Sequence, residues 1–586
     1  MQSRRKPVCD ACRARKKRCD GARPRCESCE KWDQPCHYSD NSWRRTERVH
    51  GPWAAPSARR ISTATITAFS PPQPSTTADF WSPSSHPLST PDPANDWLND
   101  VLSFPASTDY WSSTDVISWP NSLHGESQSA EPTCLPSIPR IIELVDLFFS
   151  HFHVFVPCLH EKSFRETIYN FQNLPGDPSA VLVYTVLAIA ASMHSDPSTK
   201  ACQDDWFSKA KELYKRSKKI HPKSTQLVQA AACIMFQAMV SGDTQGLWWT
   251  MGDAWKRACS IGFNRIDVAN PPSLTAPARE TEECRRAIWT IFIVDRGTNF
   301  PCGVPHAIDD RQFLVNLPIH NDLFRGTGIL TSESAQSVPF TRSLNSLITS
   351  KYDLDKPVPM IHHLIKAYII MGRIAEHSFS LHPASEADLI DQEFNDLDAI
   401  LVRFRLSLPL TATDLSCTSP LDYKTVVWFT AILHGSTILL HYRAASSVCT
   451  GRYCGSSNGS SSESFLPARS SWRLCVAAAR DIIQLIKDAS RIATNTLVNP
   501  HLSAILCLCS RVLLIQWHYT TDRSFRNDID LVLLVFERMS EVFPVLGRKF
   551  CDRIRNDLHL SCKDVQTMYE SGSKELLEQC SAWRLV

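Results

Sequence analysis

Six cysteines near the start repeat one pattern. Cys9, Cys12 and Cys19 are followed by Cys26, Cys29 and Cys36, giving C-x2-C-x6-C-x6-C-x2-C-x6-C. A C-x2-C pair can set two thiolates on one metal ion from the turn that opens a helix, and a third thiolate six residues on can close around it. Three ligands per half fall short of tetrahedral zinc. Six thiolates supply each of two zinc ions with four ligands if two of them act as bridges, at Zn–S distances of about 2.3 Å. The competing readings are a purely structural metal knot and a small domain stapled by three disulfides. The opening Met1-Gln2-Ser3-Arg4-Arg5-Lys6-Pro7 has no apolar core after its charges, so no signal peptide and a reducing compartment are expected, which disfavours disulfides.

The two halves of the repeat differ in charge. Between Cys12 and Cys19 lies Arg13-Ala14-Arg15-Lys16-Lys17-Arg18, almost wholly basic; between Cys29 and Cys36 lies Glu30-Lys31-Trp32-Asp33-Gln34-Pro35, which is not. A basic run is most often a solvated face or a nuclear-import patch, but confinement to a metal-fixed turn favours contact with phosphate and bases. The formal net charge of the chain is only +2, and it hides opposed blocks. Met1 to Arg60 carries sixteen basic against seven acidic residues, whereas Ile61 to Pro139 has eight acids and no Lys or Arg. A basic head beside an acidic stretch suits a nucleic-acid contact next to an interaction tail.

Cys9 to Cys36 resembles the fungal binuclear zinc cluster, the Zn2Cys6 DNA-binding domain of the yeast galactose regulator type. The likeness covers the six cysteines, the Arg13 to Arg18 loop, and the Asp20 to Pro24 turn, where the family carries a proline at the position of Pro24. It implies a small domain of two short helices related by a pseudo-twofold axis. Cys9 and Cys26 would bridge two Zn2+ per chain, Cys12 and Cys19 would complete one, and Cys29 and Cys36 the other. It further implies that the first helix enters the major groove of double-stranded DNA, with Arg15 and Lys16 placed to read a CGG-type triplet. Arg13, Lys17 and Arg18 are then phosphate contacts.

Residues 37–139 read as a disordered linker, basic at first and acidic-aromatic later. Tyr38 to Arg60 shows no sustained heptad, so a homodimer would form without an evident coiled coil. Arg44, Arg45, Arg48, Arg59 and Arg60 could track phosphates or belong to an import signal. Within Ile61 to Pro139, Trp97, Leu98, Val101, Leu102 and Phe104 stand among acids; such a segment either folds onto coactivators as an amphipathic helix or is an inert tether.

From Ile141, apolar residues recur at helical spacing: Ile141, Leu144, Val145, Phe148, Phe149 and Phe152. The same periodicity returns at Ala180 to Ala191, Leu227 to Val240, Arg285 to Val294, Trp472 to Ile486 and Ile529 to Met539. A large all-α multi-helix domain is expected over 140–450, with a further helical portion at 465–586 beyond the Ser/Gly-rich stretch Gly451 to Ser464. Pro318 to Lys356 reads as loop. Thr425 to Leu440 and Leu502 to Trp517 are apolar but short, with His434 and Arg511 inside them, and are expected to be buried helices rather than membrane spans.

This region resembles the fungal transcription factor regulatory domain, or middle homology region. The carriers are Phe149 to Phe164, Gly246-Leu247-Trp248-Trp249 to Arg265, and Arg285-Arg286-Ala287-Ile288-Trp289 through Asp295-Arg296 to Gly303-Val304-Pro305 and Leu317-Pro318. Trp248, Trp289 and Phe292 are expected in the core, and Arg286 or Arg296 is expected to pair with Asp295.

No enzyme is expected. Gly455-Ser456-Ser457-Asn458-Gly459 fits G-x-S-x-G but lies in a Ser/Gly tract without a strand before it. His306, Asp309 and Asp310 read as a polar turn. The sequence therefore points to a nuclear, zinc-dependent, DNA-binding regulator of RNA polymerase II transcription. The expected direction is activation of a dedicated metabolic gene set, such as a secondary-metabolite cluster. The alternative is a zinc-stabilised interaction module or a metabolite-responsive regulator that does not read DNA.

Overall fold

Aspartate followed by proline opens two of the helices. Asp177 accepts a hydrogen bond from Ser179 N at 2.9 Å at the head of Pro178–Ala191, and Asp196 accepts from Ser198 N at 3.1 Å at the head of Pro197–Ala201. The proline lacks an N–H at a position where the helix has no use for one, and the carboxylate satisfies the next free donor. The Thr225–Ser241 helix stops at Gly242, whose φ of 76° a side chain would resist. Asp243 at once caps the next helix, Thr244–Ile261, through Gly246 N at 2.9 Å.

In the computed structural model the chain divides into two compact units, Met1–Pro120 and Asn121–Val586. The residues described are 9, 11–12, 19–20, 22, 24–31 and 35–36 in the first unit. In the second they are 135–169, 177–268, 278–326, 337–349, 358–380, 387–446, 470–577 and 580. The acidic-aromatic segment and Gly451 to Ser464 lie outside them.

The second unit is a helical assembly without strands among its described residues. Burial sorts its helices into two kinds. Pro178–Ala191, Thr225–Ser241 and Ser503–Thr520 are buried on nearly every side and form the interior. Ser470–Ile492 is amphipathic and buries Trp472, Cys475, Ala479, Ile482, Ile483 and Ile486 along one stripe. Pro500–Thr520 has the length and composition to cross a membrane, yet most of its apolar stretch is buried in this core. Tyr423–Ser446 packs against Ser470–Ile492, and the Tyr442 hydroxyl donates to Tyr569 O at 2.9 Å. Among the described residues, those from 470 onward thus share one core with those up to 446.

The motif around Arg285 to Pro318 is a fastening between the Ala278–Asn299 helix and the chain that follows it. Arg286 pairs with Glu282 at 2.7 Å and donates to Ile319 O at 2.8 Å, while Glu282 accepts from Ile319 N at 3.0 Å. Trp289 donates to Asn316 O at 2.7 Å. About two turns on, Asp295 pairs with Arg296 and accepts from Ala307 N and Ile308 N at 2.9 and 3.2 Å. Asp295 therefore pairs with Arg296, and Arg286 takes Glu282 instead, the partner one helical turn before it.

Two expectations are corrected. Trp248 is 42% exposed and Trp249 72% exposed, so neither is a core residue. Leu247, Met251, Ala254, Trp255 and Ala258 hold the buried stripe of that helix, and at about 100° per residue Trp248 and Trp249 turn out of it. Within Pro318 to Lys356, Asn321–Arg325 and Leu344–Thr349 are short helices. Each is too brief to show a 3.6-residue period.

Candidate metal centre and nucleic-acid interface

The second half of the cysteine repeat is built around the helix Glu27–Lys31. Cys26 stands just before it, and its carbonyl accepts from Cys29 N and Glu30 N, each at 3.0 Å. Asp20 caps that start by accepting from Glu27 N at 3.2 Å, and Glu27 and Glu30 lie in the first turn, where carboxylates suit the helix dipole. The spacing of the cysteines had not signalled Asp20; a short polar acceptor seven residues ahead of a helix start is the signal that could have. In the first half Ala11 and Cys12 are helical, and Cys12 N donates to Cys9 Sγ at 3.4 Å. Cys26 N donates in the same way to Cys36 Sγ at 3.3 Å, and that bond lowers the Cys36 thiol from its ordinary value.

All six predicted cysteines come together. Cys9, Cys12, Cys26 and Cys29 are buried; Cys19 and Cys36 are partly exposed. The sulfurs fall into two groups of four, Cys9, Cys12, Cys19, Cys26 and Cys9, Cys26, Cys29, Cys36, each with its atoms within 4.8 Å of one another. The groups overlap in Cys9 and Cys26, whose sulfurs are 3.6 Å apart. Cys9 to Cys29 and Cys12 to Cys26 are also 3.6 Å. A tetrahedron with Zn–S bonds of about 2.3 Å has an edge of about 3.8 Å, so thiols at these separations fit zinc. They do not fit disulfides, whose sulfurs lie about 2.0 Å apart. Arg13, Arg15, Lys16, Lys17 and Arg18, the predicted DNA contacts, lie outside the described residues.

The turn with His306, Asp309 and Asp310 is held by its own pairings. Asp310 binds Arg342 at 2.9 Å and also Arg373, Asp309 accepts from Arg311 N at 2.9 Å, and His306 Nε2 lies 3.3 Å from Gly372 O.

Comparison with known proteins agrees with this construction. Residues 7–45 match the fungal Zn(2)-Cys(6) binuclear cluster domain, and residues 145–400 match the fungal specific transcription factor domain. Cutinase transcription factor 1 beta of Fusarium vanettenii is 23% identical over 314 residues, covering 50% of this chain and 34% of that protein. Transcription factor FBD3 of Gibberella moniliformis is 25% identical over 220 residues, covering 36% of this chain and 28% of its own length. The chain thus spans about a third of the length of these curated relatives. It belongs to the Zn2Cys6 fungal transcription factors, with a zinc-binding cluster domain at its head and the family's helical regulatory domain behind it.

Proposed function

We propose that the chain is a sequence-specific DNA-binding regulator of RNA polymerase II transcription that acts in the nucleus. Its head would hold two Zn2+, bridged by Cys9 and Cys26 and completed by Cys12 with Cys19 and by Cys29 with Cys36. The observation that carries this reading is the pair of four-sulfur groups sharing Cys9 and Cys26. The metal would fix the turn from Cys12 to Cys19, and with it the basic run Arg13 to Arg18. Arg15 and Lys16 would then read guanine O6 and N7 of a CGG-type triplet in the major groove, and Arg13, Lys17 and Arg18 would hold phosphates. Residues 9–36 are the DNA-binding module in this reading, 37–139 the linker, 140–450 the regulatory domain and 465–586 its C-terminal helical portion.

Ile61 to Pro139 would recruit coactivators through Trp97, Leu98, Val101, Leu102 and Phe104, making the protein an activator of a metabolic gene set. The likeness to a cutinase transcription factor supports regulation of that kind. Fluorescence anisotropy on labelled duplexes tests the DNA reading. A CGG-containing site should bind about a thousandfold or more tighter than a scrambled duplex, a ratio typical of specific over non-specific binding. Equal affinity for the two would overturn it.

A further inference from the structure

Separate stretches of the helical unit, from His151 to Phe543, meet around a cavity of about 180 Å3. Its floor is aromatic. Phe152, Phe155 and Phe543 are buried there, with the Phe152 and Phe543 ring centroids 6.1 Å apart.

One side chain is out of keeping with that floor. Lys424, in the first turn of Tyr423–Ser446, brings its ammonium to the cavity wall 5.9 Å from the Phe155 ring centroid. Its hydrogen bond is to the His151 carbonyl, long at 3.4 Å, and no carboxylate among the described residues forms an ion pair with it. Burial lowers Lys424 from the usual lysine value with no acid acting against the shift, and its charge adds to the effect of burial in lowering His151. The other charges at the cavity cancel, because Arg538 and Glu541 are exposed and paired with each other at 2.7 Å. Lys424 is half-buried, and an ammonium partly stripped of its water beside an apolar floor gains from an anion that joins it.

We infer that this cavity binds a small monocarboxylate with an apolar body, the carboxylate on Lys424 Nζ and the body against Phe152, Phe155 and Phe543. Size agrees: a cavity of roughly 150 Å3 accommodates benzene, so benzoate or hexanoate is of the right order. A single charge-assisted hydrogen bond suits a carboxylate, whereas the aromatic floor would leave the further oxygens of a phosphate unsatisfied. The walls draw on the stretch matched to the regulatory domain family and on helices beyond it, so an occupant would tie the two together. This site goes beyond the DNA-reading proposal and does not depend on it.

Calorimetry on the full chain with hexanoate, benzoate and phenylacetate, and with hexanamide and benzamide as neutral counterparts, tests the assignment. At least one carboxylate should bind with a submillimolar Kd, and its amide at least tenfold more weakly. Lys424→Met should weaken carboxylate binding at least tenfold while leaving the ligand-free Tm equal or higher, which a merely structural lysine would not do. Val498→Trp, which fills the cavity and leaves Lys424 in place, should abolish binding. No binding by any of the three carboxylates, equal binding of the amides, or carboxylate affinity that survives either substitution would overturn the proposal. Should Lys424→Met fail to fold, the Val498→Trp result decides alone.

Discussion

In the head, six thiols and two short helical turns hold the described residues between 9 and 36 together; in the helical unit, interior helices such as Pro178–Ala191 and Thr225–Ser241 are buried almost entirely in apolar neighbours. A chain of under about 40 residues cannot bury enough surface to fold by itself and usually needs metal or disulfides. The head concentrates its stability in six side chains, and the helical unit spreads it over many. The contrast teaches where each region is fragile: removal of one ligand should undo the first, while the second should tolerate most single changes outside its buried polar fastenings.

The largest expected effect comes from metal removal. Structural zinc supplies roughly 10–16 kcal/mol of apparent binding energy in small zinc modules, and that energy is folding energy. A strong chelator, or Cys26→Ser, should therefore collapse the head, read by loss of amide dispersion in residues 9–36, while the far-ultraviolet helical signal of the full chain changes little. A parallel loss of both signals would break the comparison.

Acid should act on the helical unit. Burial pushes His153, His306, His362, His434 and His501 down to about 3 and His363 to about 4. Below pH 6.5 the unfolded chain takes up protons at these sites while the folded chain does not, so their contribution is whole above that pH and is lost as pH falls toward 3. Each histidine adds at most about 1.4 kcal/mol per pH unit, and six together make the slope steep. Denaturant midpoints should fall sharply between pH 6.5 and 5. Glu283 works in the opposite sense. Burial raises it to about 7, so its contribution is whole at low pH and is lost as pH rises from about 4.5 to 7. Glu283→Gln should flatten that part of the profile.

Next in size is Glu282→Ala, which strands buried Arg286 and leaves Ile319 N without its acceptor. Breaking a buried pair from one side costs about 3–5 kcal/mol, so a Tm lower by several degrees is expected with zinc content unchanged. The smallest effects sharpen the DNA reading. Lys16→Ala should cost about 1–3 kcal/mol on a CGG-type site and relax base preference, whereas Lys17→Ala should weaken all sequences alike and reduce the salt slope by about one.

Much of this was legible in the sequence because the signal was local. The C-x2-C-x6-C repeat fixes which thiols can meet, and they do meet. Strong apolar periodicity located Ile138–Leu147, Ser470–Ile492 and Arg523–Val542. Information carried across distance was not legible. Trp248 looked like core by its size, and only the packing of its helix shows the stripe passing through Leu247 and Trp255 instead. The choice of Glu282 for Arg286 depends on where Ile319 returns. The Lys424 cavity draws its wall from segments that no motif connects.

The account turns on the shared sulfurs of Cys9 and Cys26, and the zinc content of the purified full chain tests it most directly. Elemental analysis should give two zinc ions per chain, both lost on chelation. A single zinc per chain, or a head that keeps its fold after chelation, would contradict the bridged cluster.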